Sequence, residues 1–308
     1  MKKLRKILND KYIKITPSIF IRFVLYVLLI DFAFIYLYPF IYMVISALKS
    51  PEDLMDISVR WVNNELCFEN FKIAAKALNY IPIFLNTLLS VALCTVGHVL
   101  SGAFIGYGFA RFKFRGKNFL FFLLMLSMIV PTQTIIVPLY ILYSKLGMIP
   151  GELPVILPTF FGFGLKGALF IFIFRQFFLS LPPALEEASA IDGCGPIKTF
   201  FKIALPVAKP TVIICSVLSA VWHWNDFFEP TLYIQKQKNY YLSLFLPSLY
   251  QAVEDAKAGG TMESASVGYT DATVMAAVVL IIVPLFVGYM FVQRQFIQSI
   301  ETSGITGE

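Results

Sequence analysis

Six stretches of the chain are almost continuously apolar, and each is long enough to cross a lipid bilayer. They cover residues 19–48, 82–110, 118–144, 154–178, 211–234 and 273–293. A transmembrane helix needs about 20 mostly apolar residues, because the hydrocarbon core is about 30 Å thick. Transmembrane strands would instead alternate between apolar and polar positions over about 10 residues. The pattern therefore predicts an all-α integral membrane protein in which residues 1–308 form a single domain of six transmembrane helices.

The composition agrees with a membrane protein. Hydrophobic residues make up 58% of the chain and charged residues only 14%, whereas soluble domains carry roughly 25% charged residues. These figures also exclude a disordered chain, a coiled coil and a disulfide-rich secreted fold. The four cysteines, Cys67, Cys94, Cys194 and Cys215, are scattered and show no zinc-ligand spacing, so no metal site is expected.

Lysine and arginine are distributed unevenly among the connecting segments. With the N-terminus inside, 16 of the 25 positive residues lie in the inner segments 1–22, 111–117, 175–210 and 294–308. Only 8 lie in the outer segments 49–80, 145–153 and 236–272. Positively charged loops stay on the cytoplasmic side, so both termini are predicted to be cytoplasmic. Beside six membrane spans, the basic N-terminus is not interpreted as a nucleic-acid-binding segment.

Prolines and glycines predict where the apolar stretches bend and where the chain loops. Pro39, Pro131 and Pro138 lie inside apolar runs and are expected to kink their helices, because proline removes a backbone donor and clashes with the preceding turn. The outer segment 236–272 contains Gly259-Gly260 and many small residues. It is predicted to be a flexible loop.

The inner segment 181–206, between the fourth and fifth stretches, has a helical pattern of its own. The first set of apolar positions with i, i+3 and i+4 spacing is Leu181, Ala184, Leu185, Ala188 and Ile191. Asp192-Gly193 is a turn signal, and Gly195-Pro196 then begins a second short helix. The apolar face expected on that helix consists of Ile197, Phe200, Phe201 and Ala204. Two interpretations remain open: a knob that a cytosolic subunit grips, or a helix pair lying on the inner membrane surface.

This segment resembles a known motif. Glu187-Ala188-Ser189, followed by Asp192-Gly193 and then Ile203-Ala-Leu-Pro206, is similar to the EAA motif of permease subunits of bacterial ATP-binding-cassette importers. Ser189 stands where that motif has its second alanine, a small-for-small change expected to leave the packing intact. The resemblance implies a cytoplasmic coupling-helix loop that docks in a groove of the ATP-binding subunit. The contact and turn residues carried over are Glu187, Ala188, Asp192, Gly193 and Pro206.

Other segments resemble carbohydrate-uptake permeases of the maltose-transporter type, specifically the second permease. They include Tyr38–Met43, Tyr107–Phe112 and Trp224–Phe227, whereas the tail Ser303–Gly307 matches only loosely. The resemblance implies a multi-pass protein of a bacterial inner or plasma membrane that translocates a sugar or oligosaccharide. It also implies a dimer of ATP-binding subunits, a second permease subunit and an extracellular solute-binding protein as partners, besides membrane lipid.

Nucleotide-binding and hydrolase motifs are absent from the sequence. No G-x-x-x-x-G-K-[ST], G-x-S-x-G or H-E-x-x-H occurs. The chain is therefore predicted not to be an enzyme and to hold no cofactor, with ATP and Mg²⁺ bound by a separate ATPase subunit.

Polar residues within the apolar stretches suggest a substrate path. The cluster expected on about two turns of the fifth span comprises Trp222, Trp224, Asn225, Asp226 and Glu229. Aromatic faces beside amide and carboxylate groups suit sugars, although an aromatic belt at the membrane interface explains them equally well. Lys166 is expected to pair with an acidic residue of another span, because an unpaired charge in a membrane is costly.

Other functions fit parts of the pattern. An ATP-binding-cassette permease for an amino acid, a polyamine or a glycerol phosphodiester would share the coupling motif. An ion-driven secondary transporter would require intramembrane acids in repeated halves, and no such repeat is visible. A non-transporting scaffold or sensor would show no accumulation of solute in vesicles.

Overall fold

The computed structural model describes residues 19–236, 240–257 and 269–305. Over these ranges the chain is helical and contains no strand, which confirms the all-α prediction. Three features of the sequence lie outside the described residues: the basic residues of 1–18, Gly259-Gly260, and Thr306-Gly307 of the tail.

In the part of the chain that the structure describes, four long helices lie in the apolar stretches, and the first two of them follow their stretches closely. They are α1 (Ile19–Ala47), α4 (Tyr80–Arg111), α8 (Gly164–Ser180) and α14 (Asp271–Ile305), with the short α2 (Pro51–Met55) and α3 (Glu69–Ala77) between the first two. Just before α8 lie α7 (Leu153–Ile156) and a 3₁₀ turn (Leu157–Phe161). By length and composition, the described residues contain four helices able to cross a membrane, or up to six if each of two bent pairs is one span.

The third apolar stretch forms the first of these bent pairs. α5 (Lys117–Ser127) and α6 (Thr132–Lys145) meet at 100°. Pro131 directly precedes α6 and cannot donate a backbone hydrogen bond to the preceding turn. The break therefore lies where the sequence predicted a kink, but it interrupts the helix completely.

The fifth stretch, predicted as one helix over 211–234, is also divided, and here the prediction was wrong. A bend of 76°, between α10 (Pro196–Val207) and α11 (Lys209–Trp224), lies just before the predicted stretch. The division itself lies where α11 ends at Asn225. A separate short helix, α12 (Phe228–Tyr233), follows. The polar pair Asn225-Asp226 thus marks a helix end.

The outer segment 236–272 is also more ordered than predicted. It contains α13 (Leu242–Lys257), an amphipathic helix whose Leu249 and Val253 are buried. They pack in a cluster with Leu78 and with alanines of α14. The expectation of a loop is therefore wrong for the part of this segment that the structure describes.

α4 lies at the centre of the fold, packed along α8. Phe170, Phe174 and Phe178 of α8 are fully buried against it. The two helices approach closely at Gly102 and Gly106, since a Cβ added at either glycine would meet atoms of α8 at 3.2 Å or less. In membranes, glycine permits such close approach and so favours helix association by packing.

We expect Gly106→Ala to destabilise this helix pair. The added Cβ would lie 2.9 Å from the backbone nitrogen of Arg175 and 3.0 Å from the carbonyl oxygen of Ile171, and overpacking of this kind costs about 1–3 kcal/mol. Gly108→Ala is the matched control, because a Cβ at that position meets nothing within 4 Å. The measurement is the thermal unfolding midpoint in detergent; equal midpoints for the two variants would contradict the packing argument.

Candidate coupling arm and translocation cavity

Residues 181–207 form a helix–turn–helix that we call the coupling arm. α9 (Ala184–Ile191) ends at Asp192, and Gly193 follows with φ of +74°. The Gly193 N–H donates to the Ala190 carbonyl oxygen at 3.0 Å, and the Cys194 N–H donates to that of Ser189 at 2.9 Å. The left-handed conformation at Gly193 closes α9 and turns the chain toward α10, because only glycine adopts it without a Cβ penalty.

A buried hydroxyl pair joins the two helices of the arm. The Oγ of Ser189 lies 2.7 Å from the Oγ1 of Thr199, and these residues are only 2% and 4% exposed. Ser189, which departs from the EAA pattern, therefore does more than keep the position small, because its hydroxyl hydrogen-bonds to the second helix of the arm. Thr199, ten residues later on the second helix, is the sequence signal from which this bond could have been predicted.

The apolar face predicted for the second helix is only half correct. Phe200 and Ala204 are buried, but Ile197 and Phe201 are 67% and 54% exposed. A π-helical turn at Phe200–Ala204 changes the angular spacing of these positions, so they do not share one face. On the first helix Ile191 is 86% exposed, and the arm therefore presents large apolar side chains outward.

All five residues assigned to coupling are exposed on this arm. They are Glu187, Ala188, Asp192, Gly193 and Pro206. Because they are exposed, these residues are accessible to an intermolecular contact, although several of their backbone groups are hydrogen-bonded within the arm.

The arm is held firmly against the membrane helices. Arg111, the last residue of α4, places its Nε 3.0 Å from the Oε1 of Glu186, and its Nη2 donates to the Leu181 carbonyl oxygen at 2.7 Å. Phe200 packs against Tyr107 and Phe178, with ring centroids 5.2 and 6.3 Å apart. A force on the arm would therefore be transmitted to α4 and α8.

A cavity of about 1080 Å³ lies between α5, α6, α8, α11 and α12. The Nζ of Lys166 on α8 lies 2.5 Å from the Oδ2 of Asp226 and 3.9 Å from the Oε1 of Glu229. The expectation that Lys166 pairs with an acid of another span is confirmed. Trp222 contributes its ring, whose centroid is 5.5 Å from the ammonium nitrogen.

The structure separates the predicted path residues into two groups. Trp222, Asp226 and Glu229 line the cavity, whereas Trp224 and Asn225 do not. The Trp224 indole instead donates to the Ile281 carbonyl oxygen of α14 at 3.1 Å, and the Asn225 amide donates to that of Val221 at 2.8 Å. The grouping of all five on two helical turns is therefore corrected, because α11 ends between them.

Two histidines from different helices meet at the wall of this cavity. His98 on α4 and His223 on α11 stack with ring centroids 5.1 Å apart, and the His98 Nδ1 lies 3.1 Å from the Ser219 Oγ. Sequence spacing could not reveal this pair, since 124 intervening residues separate its members. No group of three or more His, Cys, Asp or Glu side chains able to hold a metal ion occurs in the described ranges.

Residues 98–302, more than half of the chain, match the family described as "Binding-protein-dependent transport system inner membrane component". The chain belongs to this family. As an inner membrane component it is a multi-pass membrane protein and part of a transporter, which makes it a permease rather than an enzyme.

This inner membrane component is similar along most of its length to characterised permeases. It is 28% identical to the arabinooligosaccharides transport system permease protein AraQ of Halalkalibacterium halodurans, over 89% of this chain and 93% of that protein. It is 25% identical to the lactose transport system permease protein LacG of Rhizobium radiobacter, over 86% and 90% of the two chains.

A solved structure has the same fold as this inner membrane component. It is described as a bacterial ABC transporter involved in the import of the acidic polysaccharide alginate, and the matched chain superposes with a TM-score of 0.73. The match covers 89% of this chain and 95% of that chain at 21% identity. At this identity the likeness establishes the fold alone.

Proposed function

We propose that this permease translocates a sugar or oligosaccharide as the membrane-spanning subunit of an ATP-binding-cassette importer. An extracellular binding protein would deliver the solute, a second permease subunit would complete the path, and a dimer of ATPase subunits would bind ATP and Mg²⁺ on the cytoplasmic side. The sugar is supported by the names of the similar permeases, which transport arabino-oligosaccharides and lactose.

The exposed coupling arm is the observation that carries this proposal. Ile191 and Phe201 expose more than half of their surface on a helix pair that Arg111 and Phe200 hold against the bundle. Exposed apolar clusters mark protein or membrane contacts, and we propose that this one contacts the ATPase subunit. An arm that binds its partner differently in two states of the transporter can shift the bundle between inward-facing and outward-facing conformations.

The cavity supplies chemistry suited to a saccharide. Its volume of about 1080 Å³ is at the upper end of ordinary ligand pockets, which span about 300–1,000 Å³. Trp222 offers an aromatic face, and the Lys166–Asp226–Glu229 group offers charged hydrogen-bonding atoms for hydroxyls. Because two carboxylates face one ammonium there, we propose that the path disfavours acidic sugars.

The test uses the full complex, purified through a tag on this chain and reconstituted in vesicles with its binding protein. We expect ATP-dependent accumulation of a labelled sugar from a panel containing arabinotriose, maltotriose and lactose. Glutamine, spermidine and glycerophosphocholine form the comparison panel. Uptake driven by an ion gradient without ATP, or accumulation confined to the comparison panel, would contradict the proposal.

A further inference from the structure

A second depression, which we call the apolar groove, lies beside the coupling arm. It has a volume of about 270 Å³ and lies between the C-terminal end of α4, the loop that follows it and the start of α10. Its walls include Phe104, Gly108, Phe112, Phe114 and Ile197. The four large side chains among these are 43–67% exposed, so the groove is open and apolar.

A basic pocket adjoins this groove. It has a volume of about 330 Å³ and is lined by Lys113, Phe114, Gly116, Lys117 and nearby residues at the start of α5. Phe114 lines both depressions, so the apolar groove and the basic pocket are adjacent. The N-terminus of α5 adds the positive end of its helix dipole to the same place.

The positive charge around the basic pocket is not neutralised within the described part of the chain. Lys113, Lys117 and Arg175 make none of its ion pairs, and Glu186 is engaged by Arg111. The guanidinium carbon of Arg175 lies 3.9 Å from the Phe121 ring centroid, and its Nε is buried without a hydrogen-bond partner.

We propose that an anionic phospholipid of the cytoplasmic leaflet occupies this composite site. Its phosphate would lie in the basic pocket near Lys113 and Lys117, and one acyl chain would lie in the apolar groove. The uncompensated positive charge of the basic pocket suits an anionic headgroup, and the apolar groove beside it suits an acyl chain. Segment 111–117 is on the predicted cytoplasmic side, where basic pockets between helices bind acidic lipid headgroups.

The site contacts two moving parts of the proposed transporter. The groove is bordered by Ile197 and Phe200 of the coupling arm and by Tyr107 of α4. A bound lipid would therefore contact the helices that the arm is expected to move, and its phosphate would bridge Lys113 of the loop after α4 and Lys117 of α5.

The test measures lipid retention by the assembled complex. Complex purified in detergent is incubated with equal amounts of dioleoylphosphatidylglycerol and dioleoylphosphatidylcholine, and retained lipids are counted by native mass spectrometry. We expect the wild type to prefer phosphatidylglycerol. Since one lysine near an anionic headgroup contributes about fivefold in affinity, K113Q/K117Q should lower this preference at least about tenfold.

A second variant tests the acyl chain separately. A Cβ at Gly108, which lines the groove, meets nothing within 4 Å, so a leucine side chain begins in open space and would occupy part of the groove. G108L is expected to reduce retention of both lipids while leaving the lysines unchanged. The matched controls are G288L, whose added Cβ also meets nothing within 4 Å, and K76Q/K145Q, which removes two exposed lysines elsewhere.

Several outcomes would overturn the proposal. Equal phosphatidylglycerol preference in wild type and K113Q/K117Q would exclude the basic pocket, and unchanged retention in G108L would exclude the groove. Displacement of the lipid by millimolar inorganic phosphate alone would show that the acyl chain contributes nothing. Failure of the complex to retain phosphatidylglycerol would contradict the lipid assignment and would indicate that another subunit covers the groove. Size-exclusion chromatography verifies that every variant assembles.

Discussion

Replacing Gly193 with valine is expected to reduce ATP-driven sugar uptake at least about tenfold while ATP hydrolysis by the complex continues. Gly193 has φ of +74°, a left-handed conformation that costs an ordinary residue about 1–2 kcal/mol and is a genuine outlier for a β-branched one. Valine should therefore shift the backbone between Ile191 and Pro196. The arm would then present its exposed apolar residues to the ATPase in a different orientation.

The structure provides controls that separate backbone conformation from side-chain bulk. Gly195 has φ of −72° and ψ of 164°, which any residue adopts, and a Cβ at either glycine meets nothing within 4 Å. Gly195→Val should therefore retain most uptake, and Gly193→Asn should retain more than Gly193→Val because asparagine tolerates the left-handed region. Uptake and ATP hydrolysis are measured on the same vesicles. Normal uptake by Gly193→Val, or an equal loss in Gly195→Val, would show that the turn conformation does not transmit the motion.

The parts of the fold that depend on local composition could be predicted from the sequence. An apolar run must remain helical in lipid, because every backbone polar group has to be satisfied within the helix. This explains why α1 and α4 lie near their predicted bounds, whereas α14 continues to Ile305, beyond the apolar stretch 273–293. The spacing Gly102-x-x-x-Gly106 is typical of close helix contacts in membranes and is a sequence signal from which the contact with α8 could have been predicted.

The parts that depend on distant contacts could not be predicted in the same way. The π-helical turn at Phe200–Ala204 shifted the exposed face of the arm, since a helical period assumes a regular helix. Because α11 ends at Asn225, Trp224 contacts α14, whereas Asp226 lies beyond the helix end and pairs with Lys166. The sequence indicated that Lys166 needs an acidic partner, but only packing of α8 against the end of α11 selects Asp226.

Replacing Lys166 with methionine is expected to destabilise the protein by about 3 kcal/mol, near the lower end of the cost of breaking a buried ion pair. The side chains of Lys166 and Asp226 are 15% and 9% exposed. Removal of the ammonium leaves Asp226 as a nearly buried carboxylate with Glu229 close by, and no other cation of the described residues forms an ion pair with either. At 2–4 °C per kcal/mol, the melting temperature in detergent should fall by roughly 6–12 °C.

A double-mutant cycle tests whether the stability lost in Lys166→Met comes from the Lys166–Asp226 ion pair. Asp226→Asn alone should destabilise the protein less than Lys166→Met does, because Lys166 still has Glu229 at 3.9 Å. In the double variant, Asp226→Asn removes the unpaired carboxylate and should recover part of the stability lost in Lys166→Met. Lys72→Met is the matched control. The Lys72 Nζ lies 2.8 Å from the Glu69 Oε2, but the two side chains are 75% and 60% exposed. Solvent screens this pair, so no measurable change in melting temperature is expected. Additive effects of the two cavity substitutions would mean that Lys166 and Asp226 contribute independently, and the ion pair would then not be what holds α8 against the end of α11.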